Sequence, residues 1–265
     1  LVQASGTRQK KWMENPDTGE QVLVKWPNYG SGEVYTEKIC SELGRLCNIP
    51  IMRVDIGCCG EVPVILAYNF LLPGEELIEG GDFFEDYQAD SGKPSLPPEY
   101  TFQRIRTIVE PYGLLPDLLN MMVFDALVAN SDRHQDNWGL CFKETQVRFA
   151  PLYDHGSSLD WNSNEDKVRK RMLDNRMYWG FINQGKSMIQ LEAGHKINHC
   201  NLMTGIAAQT SVELRNSIRK ISALNEGSIS SIIQGIPSVI MSDIRKEFVI
   251  RLLLDRKACI ERLVS

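Results

Sequence analysis

The sequence predicts an α+β protein of two lobes, a small antiparallel-sheet lobe carrying one helix followed by a larger, mostly helical lobe. Three observations predict it. Runs rich in Val, Ile, Leu and aromatics, bounded by turn formers, fill the first part of the chain, as in QVLVKW (21–26) and VPVILAYNFL (62–71). From Tyr100 onward the apolar residues recur at helical spacing instead. Between the two patterns, residues 73–100 gather Gly, Pro and acids and read as connector and loop. The expected units are therefore 1–72, 73–100 and 101–265.

Taken in order, NPDTGE (15–20) has the composition of a hairpin turn leading into QVLVKW. GEVYTEKICSELGRLCNIP (32–50) places Tyr35, Ile39, Leu43 and Leu46 at helical spacing, and Asn48 to Pro50 ends that helix. In the second lobe FQRIRTIVEPYG is followed by LPDLLNMMVFDALVAN, with Leu118, Leu119, Met122, Val123, Ala126 and Leu127 on one broad stripe. Pro116 sits near the start of this helix, where it is tolerated. GLCFKE and VRFAPLYD read as two short strands joined by a polar turn at Glu144 to Gln146. The tail from Ser211 reads as nearly all helix and ends in SDIRKEFVIRLLLDRKACIERLV, with Ser242 as N-cap and Ile244, Phe248 and Leu252 as its apolar stripe.

Composition narrows the function classes. With 265 residues, 43% of them hydrophobic and 24% charged, the chain has the means to build a substantial core. A net charge of -5 argues against direct nucleic-acid binding, which needs a basic surplus or a basic face. No apolar run approaches the about 18 residues a membrane span requires, so a cytoplasmic location is expected. The chain starts at Leu1 rather than Met, as a processed or trimmed chain would. Seven cysteines, an odd number that includes the adjacent Cys58 and Cys59 and no CxxC pair, read as reduced thiols. His195 and His199 have an HxxxH spacing, but no second ligand pair accompanies them to hold a metal.

The chemistry concentrates in ANSDRHQDNWGL (129–140), where the six residues DRHQDN (132–137) pack two aspartates, a histidine and an asparagine behind a strongly apolar helix. A short hairpin later comes LYDHGSSL, with another acid, Asp154. Phosphoryl transfer asks for this set: a carboxylate to orient the attacking hydroxyl and oxygen ligands to hold magnesium against a triphosphate. Asp132 would orient the hydroxyl, Asn137 would give the metal a neutral amide oxygen, and Asp154 would bridge Mg²⁺ and the phosphates. Gly156 lets the backbone turn away from the metal.

DRHQDN followed by LYDHGSSL resembles the HipA-like serine/threonine kinases, a bacterial branch of the protein-kinase-like fold, and is more distantly similar to the phosphatidylinositol 3- and 4-kinases. The likeness covers roughly residues 5–160. It implies a two-lobed protein-kinase-like fold and transfer of the γ-phosphoryl group of ATP, with Mg²⁺, to a serine or threonine hydroxyl of a protein substrate. It implies that Lys25, a cation inside the strand VLVKWP, sits on the nucleotide phosphates and pairs with a glutamate of the next helix. Two candidates stand there, Glu33 and Glu37; the family's usual acid at the helix start ranks Glu33 slightly ahead. SGTRQKKWM resembles the phosphate-covering loop, with Gly6 and Thr7 at the phosphates and Ser5 or Thr7 as autophosphorylation sites. Tyr68 and Phe70 would meet adenine through their backbones, and His134 would brace the catalytic loop at the cofactor side. HipA relatives are often toxins restrained by a small DNA-binding antitoxin, so such a partner is implied as well.

Singly, these residues have blander readings: Lys25 a snorkelling strand lysine, Glu33 and Glu37 solvated helix acids, Asp132 and Asp154 caps or turns. Their conjunction favours the kinase. The alternatives are a phosphoinositide-type lipid kinase and a catalytically silent ATP-binding pseudokinase. Trp138 is expected in the core. KVRKR (167–171), where kinases carry the activation segment, reads either as a solvated basic loop or as a surface for an acidic peptide or phosphate.

Overall fold

In the computed structural model, residues 9–84, 96, 97 and 99–263 are described. Strands β1 (Lys10–Glu14) and β2 (Gln21–Lys25) form the expected hairpin, helix α1 (Glu33–Leu46) follows, and β3 (Val54–Cys59) and β4 (Val62–Tyr68) complete an antiparallel sheet ordered β1-β2-β4-β3. Lys25 stands opposite Lys10 and Ile65, and Leu23 opposite Trp12 and Ala67. Directly opposed residues share a face of a sheet, so Lys10, Trp12, Leu23, Lys25 and Ala67 lie on one side. Helix α1 packs on β3 and β4. Tyr35, Ile39 and Leu43 are buried as expected, whereas Leu46 is exposed; Cys40 and Cys47 complete the buried face.

Part of the segment read as connector is a strand. Residues Glu76–Glu79 form β5, which pairs with β6 (Gly139–Lys143), itself paired with β7 (Gln146–Phe149) in a three-stranded sheet. The acids of this stretch hid the strand, because only Leu77 and Ile78 carry apolar side chains in it. The turn between β6 and β7 is shorter than expected, Gln146 already pairing with Lys143.

Helix α2 (Phe102–Val109) leads to α3 (Leu115–Val128), the centre of the second lobe. Instead of showing one stripe, α3 is buried on nearly all sides from Leu118 to Val128, because α2, α6, α7 and α9 surround it. It ends at Ala129, in the left-handed region with φ 54°, and delivers the chain into the polar motif. The remaining elements are α4 (Glu165–Leu173), α5 (Asn175–Gln184), the small pair β8 (Lys186–Ser187) and β9 (Ile197–Asn198), α6 (His199–Ala207), α7 (Ser211–Ile221), α8 (Glu226–Gln234) and α9 (Asp243–Glu261). KVRKR is thus helical, inside α4, rather than a loop. Ser242 stands at the N-cap of α9, yet its hydroxyl makes no capping hydrogen bond. Phe248 and Leu252 are buried and Ile244 is partly so.

Trp138, in the core as expected, stacks between Phe83 and Phe149 at centroid distances of 6.4 and 6.0 Å. Gly80 lies against it: a Cβ there would fall 2.3 Å from Trp138 Cε2 and 2.5 Å from Gln135 O. Since neither indole nor backbone can yield cheaply, Gly80→Ala is expected to cost about 1–3 kcal/mol, read from the urea midpoint at unchanged slope.

Candidate active site

A cleft with about 720 Å³ of open space runs between the sheet and the loops after α3 and β7. From the sheet come Lys10, Trp12, Leu23, Lys25 and Ala67; from below come Asp136, Asn137, Tyr153 and Asp154. Tyr68 and Phe70 close the side where the lobes join, and the Phe70 and Tyr153 rings stack 5.7 Å apart. One end is therefore aromatic and the other charged.

Lys25 Nζ lies 3.4 Å from Glu37 Oε1 and 3.6 Å from Asp154 Oδ1. Glu37 is the acid that meets the lysine, which corrects the ranking of Glu33 ahead of it. Glu33 is one helical turn earlier, and its carboxylate accepts from Asn28 N–H and Nδ2 at 3.1 Å each. Glu37 is buried, and its Oε2 accepts the His155 N–H at 3.1 Å. Burial pushes the Glu37 carboxyl up, and Asp154 adds to that push against the pull of Lys25. Asp154 sits at φ 56°, in the left-handed region that costs an ordinary residue strain but that Asp tolerates better than most.

The motif after α3 folds back on itself. Asp132 O accepts the His134 N–H at 2.9 Å and the Asn137 Nδ2 at 2.7 Å. That second bond fixes the amide, so Asn137 keeps its Oδ1 as the atom able to meet a cation. Asn137 and Asp154 both line the cleft, and an amide oxygen with a carboxylate is the hard-oxygen pair Mg²⁺ accepts when phosphates complete its shell. Among the described residues no cluster of three or more His, Cys, Asp or Glu could cage a metal alone. His134 is not among the residues that line the cleft; its Nδ1 accepts the Asp136 N–H at 3.2 Å, bracing the turn. Gly6 and Thr7, like Ser5, lie outside the described residues.

Backbone groups of the segment joining the lobes are partly committed. Tyr68 N–H donates to Arg53 O at 3.0 Å, and Phe70 O accepts from Arg148 Nη2 at 3.1 Å. Arg148 also grips Glu75, Nε to Oε1 at 2.7 Å, tying this segment to β7. The two histidines of the HxxxH spacing stand in different surroundings: His195 is exposed, while His199 is buried with Nε2 2.9 Å from Asn130 O. Burial, then Arg256, pushes the His199 imidazole down to about 3, so it is a neutral donor to that carbonyl.

Sequence reasoning passed over the residue that holds these loops together. Arg133 is fully buried and donates from Nε to Asp125 Oδ2 and from Nη2 to Asp125 Oδ1, each at 2.8 Å. Its Nη1 donates to Asn137 O and to Tyr153 O, and Nη2 meets His155 Nε2 at 3.0 Å. A guanidinium only donates, so His155 Nε2 is the acceptor and Nδ1 carries the proton. Burial, then the Arg133 charge, holds the His155 imidazole well below its ordinary range. A signal existed: Asp125 is the lone acid between Leu118 and Val128, eight residues before an arginine inside the motif. Tyr153, Asp136 and Glu79 were passed over as cleft residues too. The first two flank recognised positions, whereas Glu79 is placed by the pairing of β5 with β6.

The HipA-like C-terminal domain family matches residues 83–221, a stretch holding both motifs. The serine/threonine-protein kinase CtkA of Helicobacter pylori is 30% identical over 154 residues, 57% of this chain and 46% of the relative, so the match spans less than half of that protein's length. The solved structure of a Helicobacter pylori proinflammatory kinase CtkA superposes with a TM-score of 0.81 at 20% identity, covering 96% of this chain and 92% of that one. HipA of Shewanella oneidensis, solved with HipB and its operator DNA, gives a TM-score of 0.62 at 14% identity over 98% of this chain and 65% of that one. These likenesses show the two-lobed, kinase-like fold.

Two measurements test the electrostatics. Arg133→Met leaves the buried Asp125 uncompensated and is expected to cost about 3–5 kcal/mol in urea unfolding, whereas adding Asp125→Leu removes the orphaned charge and restores much of it. Glu79 is pushed from the ordinary 4.5 to about 7 by burial, then by Asp136 and Asp82. The folded chain therefore holds this proton up to about pH 7 and the unfolded chain only to 4.5, so its contribution to stability is full below 4.5 and lost as pH rises to 7. Glu79→Gln should remove that decline: its melting temperature relative to the parent climbs across the window and levels off above it.

Proposed function

The chain belongs to the HipA-like C-terminal domain family, and on that premise we propose that it is an ATP- and magnesium-dependent serine/threonine protein kinase. The observation that carries the reading is Lys25, held 3.4 Å from Glu37 and 3.6 Å from Asp154 at the wall of a cleft that Asn137 also lines. A lysine fixed between two acids belongs where polyphosphate and its counter-ion meet.

The adenine would enter between the sheet side chains Leu23 and Ala67 and the Phe70–Tyr153 stack, leaving its phosphates toward Lys25. Glu37 restrains the ammonium so that it meets the phosphates in one geometry. Asn137 Oδ1 and the Asp154 carboxylate would hold Mg²⁺, which supplies charge neutralisation across the β and γ phosphates. Asp132, at the start of the braced loop, would orient the serine or threonine hydroxyl and accept its proton. The loop that carries it is anchored through Asn130, whose Oδ1 takes the Asp132 N–H at 3.1 Å and whose Nδ2 donates to Asp125 at 3.0 Å.

HipA of Shewanella was solved with HipB and operator DNA, and we extend that to a toxin role restrained by a small DNA-binding antitoxin. No described helix is long and apolar enough to cross a membrane.

The test is transfer of labelled γ-phosphate from Mg-ATP to protein in a cell lysate, run with phosphoinositide vesicles in parallel. Label on serine or threonine of protein is expected, with Asp132→Ala and Asp154→Ala each lowering the rate by roughly 10²-fold or more while unfolding midpoints hold. Label on lipid alone would make it a lipid kinase; Mg-dependent ATP binding without transfer to any acceptor would make it a silent nucleotide binder. Lys25→Met is expected to weaken ATP binding as well as turnover, since its role is on the phosphates.

A further inference from the structure

Beyond Asp154 the chain does something its sequence does not advertise. Leu159 and Asp160 are consecutive non-glycine residues in the left-handed region, at φ 53° and 59°. Such a pair persists only where its surroundings over-determine it. The determinant is the Asp160 carboxylate, which is buried: Oδ1 accepts the Ser163 hydroxyl at 2.7 Å, and Oδ2 is ion-paired with Arg171 Nη1. Arg171 is the last residue of the basic run in α4, and its guanidinium is fixed from behind by the Phe181 ring, 3.9 Å away. Arg245, buried at the start of α9, reaches the same turn, with Nη1 3.4 Å from Asp160 O and Nη2 on Ser163 O.

This turn is stitched to the helix that carries Glu37. Gly32 N–H donates to Trp161 O at 2.7 Å, Thr36 Oγ1 donates to Gly156 O at 3.1 Å, and the Arg245 guanidinium lies 5.8 Å from the Tyr35 ring centre. Three residues of α1 or its cap are therefore tied to the segment after Asp154, with Asp160 at its centre. In switchable kinases this segment is ordered by an added phosphate that pairs with arginines. Here a genetically encoded carboxylate pairs with Arg171 while Arg245 takes the backbone carbonyls of Asp160 and Ser163, and the neighbouring hydroxyls of Ser157, Ser158 and Ser163 belong to buried residues.

We propose that Asp160 is a positioning residue which, clamped by Arg171 and Arg245, holds α1 in the arrangement that pairs Glu37 with Lys25, so that phosphotransfer requires no phosphate on this segment. The inference rests on the kinase reading above, and the experiment separates the two. The full chain is treated with phosphatase, freed of it, shown by intact mass to carry no phosphate, and assayed for kcat and for KM of ATP beside untreated protein, Asp160→Asn and Arg171→Gln. The dephosphorylated chain is expected to start within about twofold of the untreated rate, while Asp160→Asn lowers kcat about tenfold or more with KM for ATP changed by less than about threefold. That split identifies a lost alignment, which a general loss of folded protein does not reproduce. Should Asp160→Asn fail to fold, Arg171→Gln decides by the same thresholds, because it leaves the Asp160–Ser163 bond in place. A rate that collapses on dephosphorylation, or a folded variant that keeps its kcat, overturns the proposal and leaves the kinase reading standing. Untreated protein that transfers no phosphate to any acceptor sinks both.

Discussion

A single buried guanidinium sets the geometry on which the cleft depends. Arg133 is removed from water, a state that is affordable only because Asp125 answers its charge with both oxygens and three further acceptors take the remaining donors. Burial opposes the charge on Arg133, yet Asp125 outweighs it and holds the guanidinium above its ordinary pKa. Two of those acceptors matter beyond electrostatics. Asn137 O and Tyr153 O belong to the loop after α3 and to the residue before Asp154, so one planar, rigid fork fixes the spacing between the two proposed metal ligands. Helix α3, apolar and surrounded, supplies the fixed point from which Asp125 acts. A lysine could not replace this arrangement, because a point charge on a flexible stem cannot hold separate acceptors in a plane.

The upper half of the cleft is built on a softer principle. Lys25 sits on a five-residue strand and is aligned by Glu37, which α1 carries in. Two carboxylates near one ammonium in a partly buried space are mutually repulsive, and burial already lifts Glu37 against the pull of Lys25. The position of α1 therefore decides whether the lysine is aligned, and α1 is fixed from two directions. His155 N–H reaches Glu37 from the loop of Asp154, and the segment around Asp160 holds the first turn of the helix, where Gly32 N–H donates to Trp161 O and Thr36 Oγ1 to Gly156 O. The loop that bears Asp154 thus also positions the helix that bears Glu37.

Much of this was legible before any coordinates. The strands around 21–26 and 62–71, the helix after Gly32, and the apolar helix feeding a polar loop follow from periodicity and turn residues, because burial of one face is what those patterns encode. The D-x4-N spacing and the later Asp154 marked the site for the same reason: few other demands place so many oxygens behind an apolar helix. What stayed hidden depended on distant contacts. Glu33 and Glu37 share a helical face, and only the approach angle of α1 to β2 tells which one meets Lys25. Glu76–Glu79 carries too many acids to look like a strand, and its pairing with β6 settles the matter. The basic run reads as solvent-facing, and so it is at Lys167, Arg169 and Lys170, while Arg171 alone turns inward to Asp160. Gly6 and Thr7 were recognised by resemblance and stand outside the described residues.

The charge balance of the cleft bears on what it can admit. Asp136, Asp154 and Glu79 line it against Lys10 and Lys25, and the crowding of burial and like charge is enough to carry Glu79 to about 7. A bare triphosphate entering such a space would bring its own negative charge beside Asp136 and Asp154, leaving Lys10 and Lys25 to answer both. A divalent cation reverses the sign of that interaction, turning Asp154 and Asn137 Oδ1 from a barrier into a seat, which is why on the proposed reading nucleotide and metal must bind as a unit. On the proposed reading a substrate hydroxyl suits this cleft better than an anionic acceptor, because Asp136, Asp154 and Glu79 already crowd it with acids. A protein serine or threonine would meet that demand, being neutral until its proton leaves.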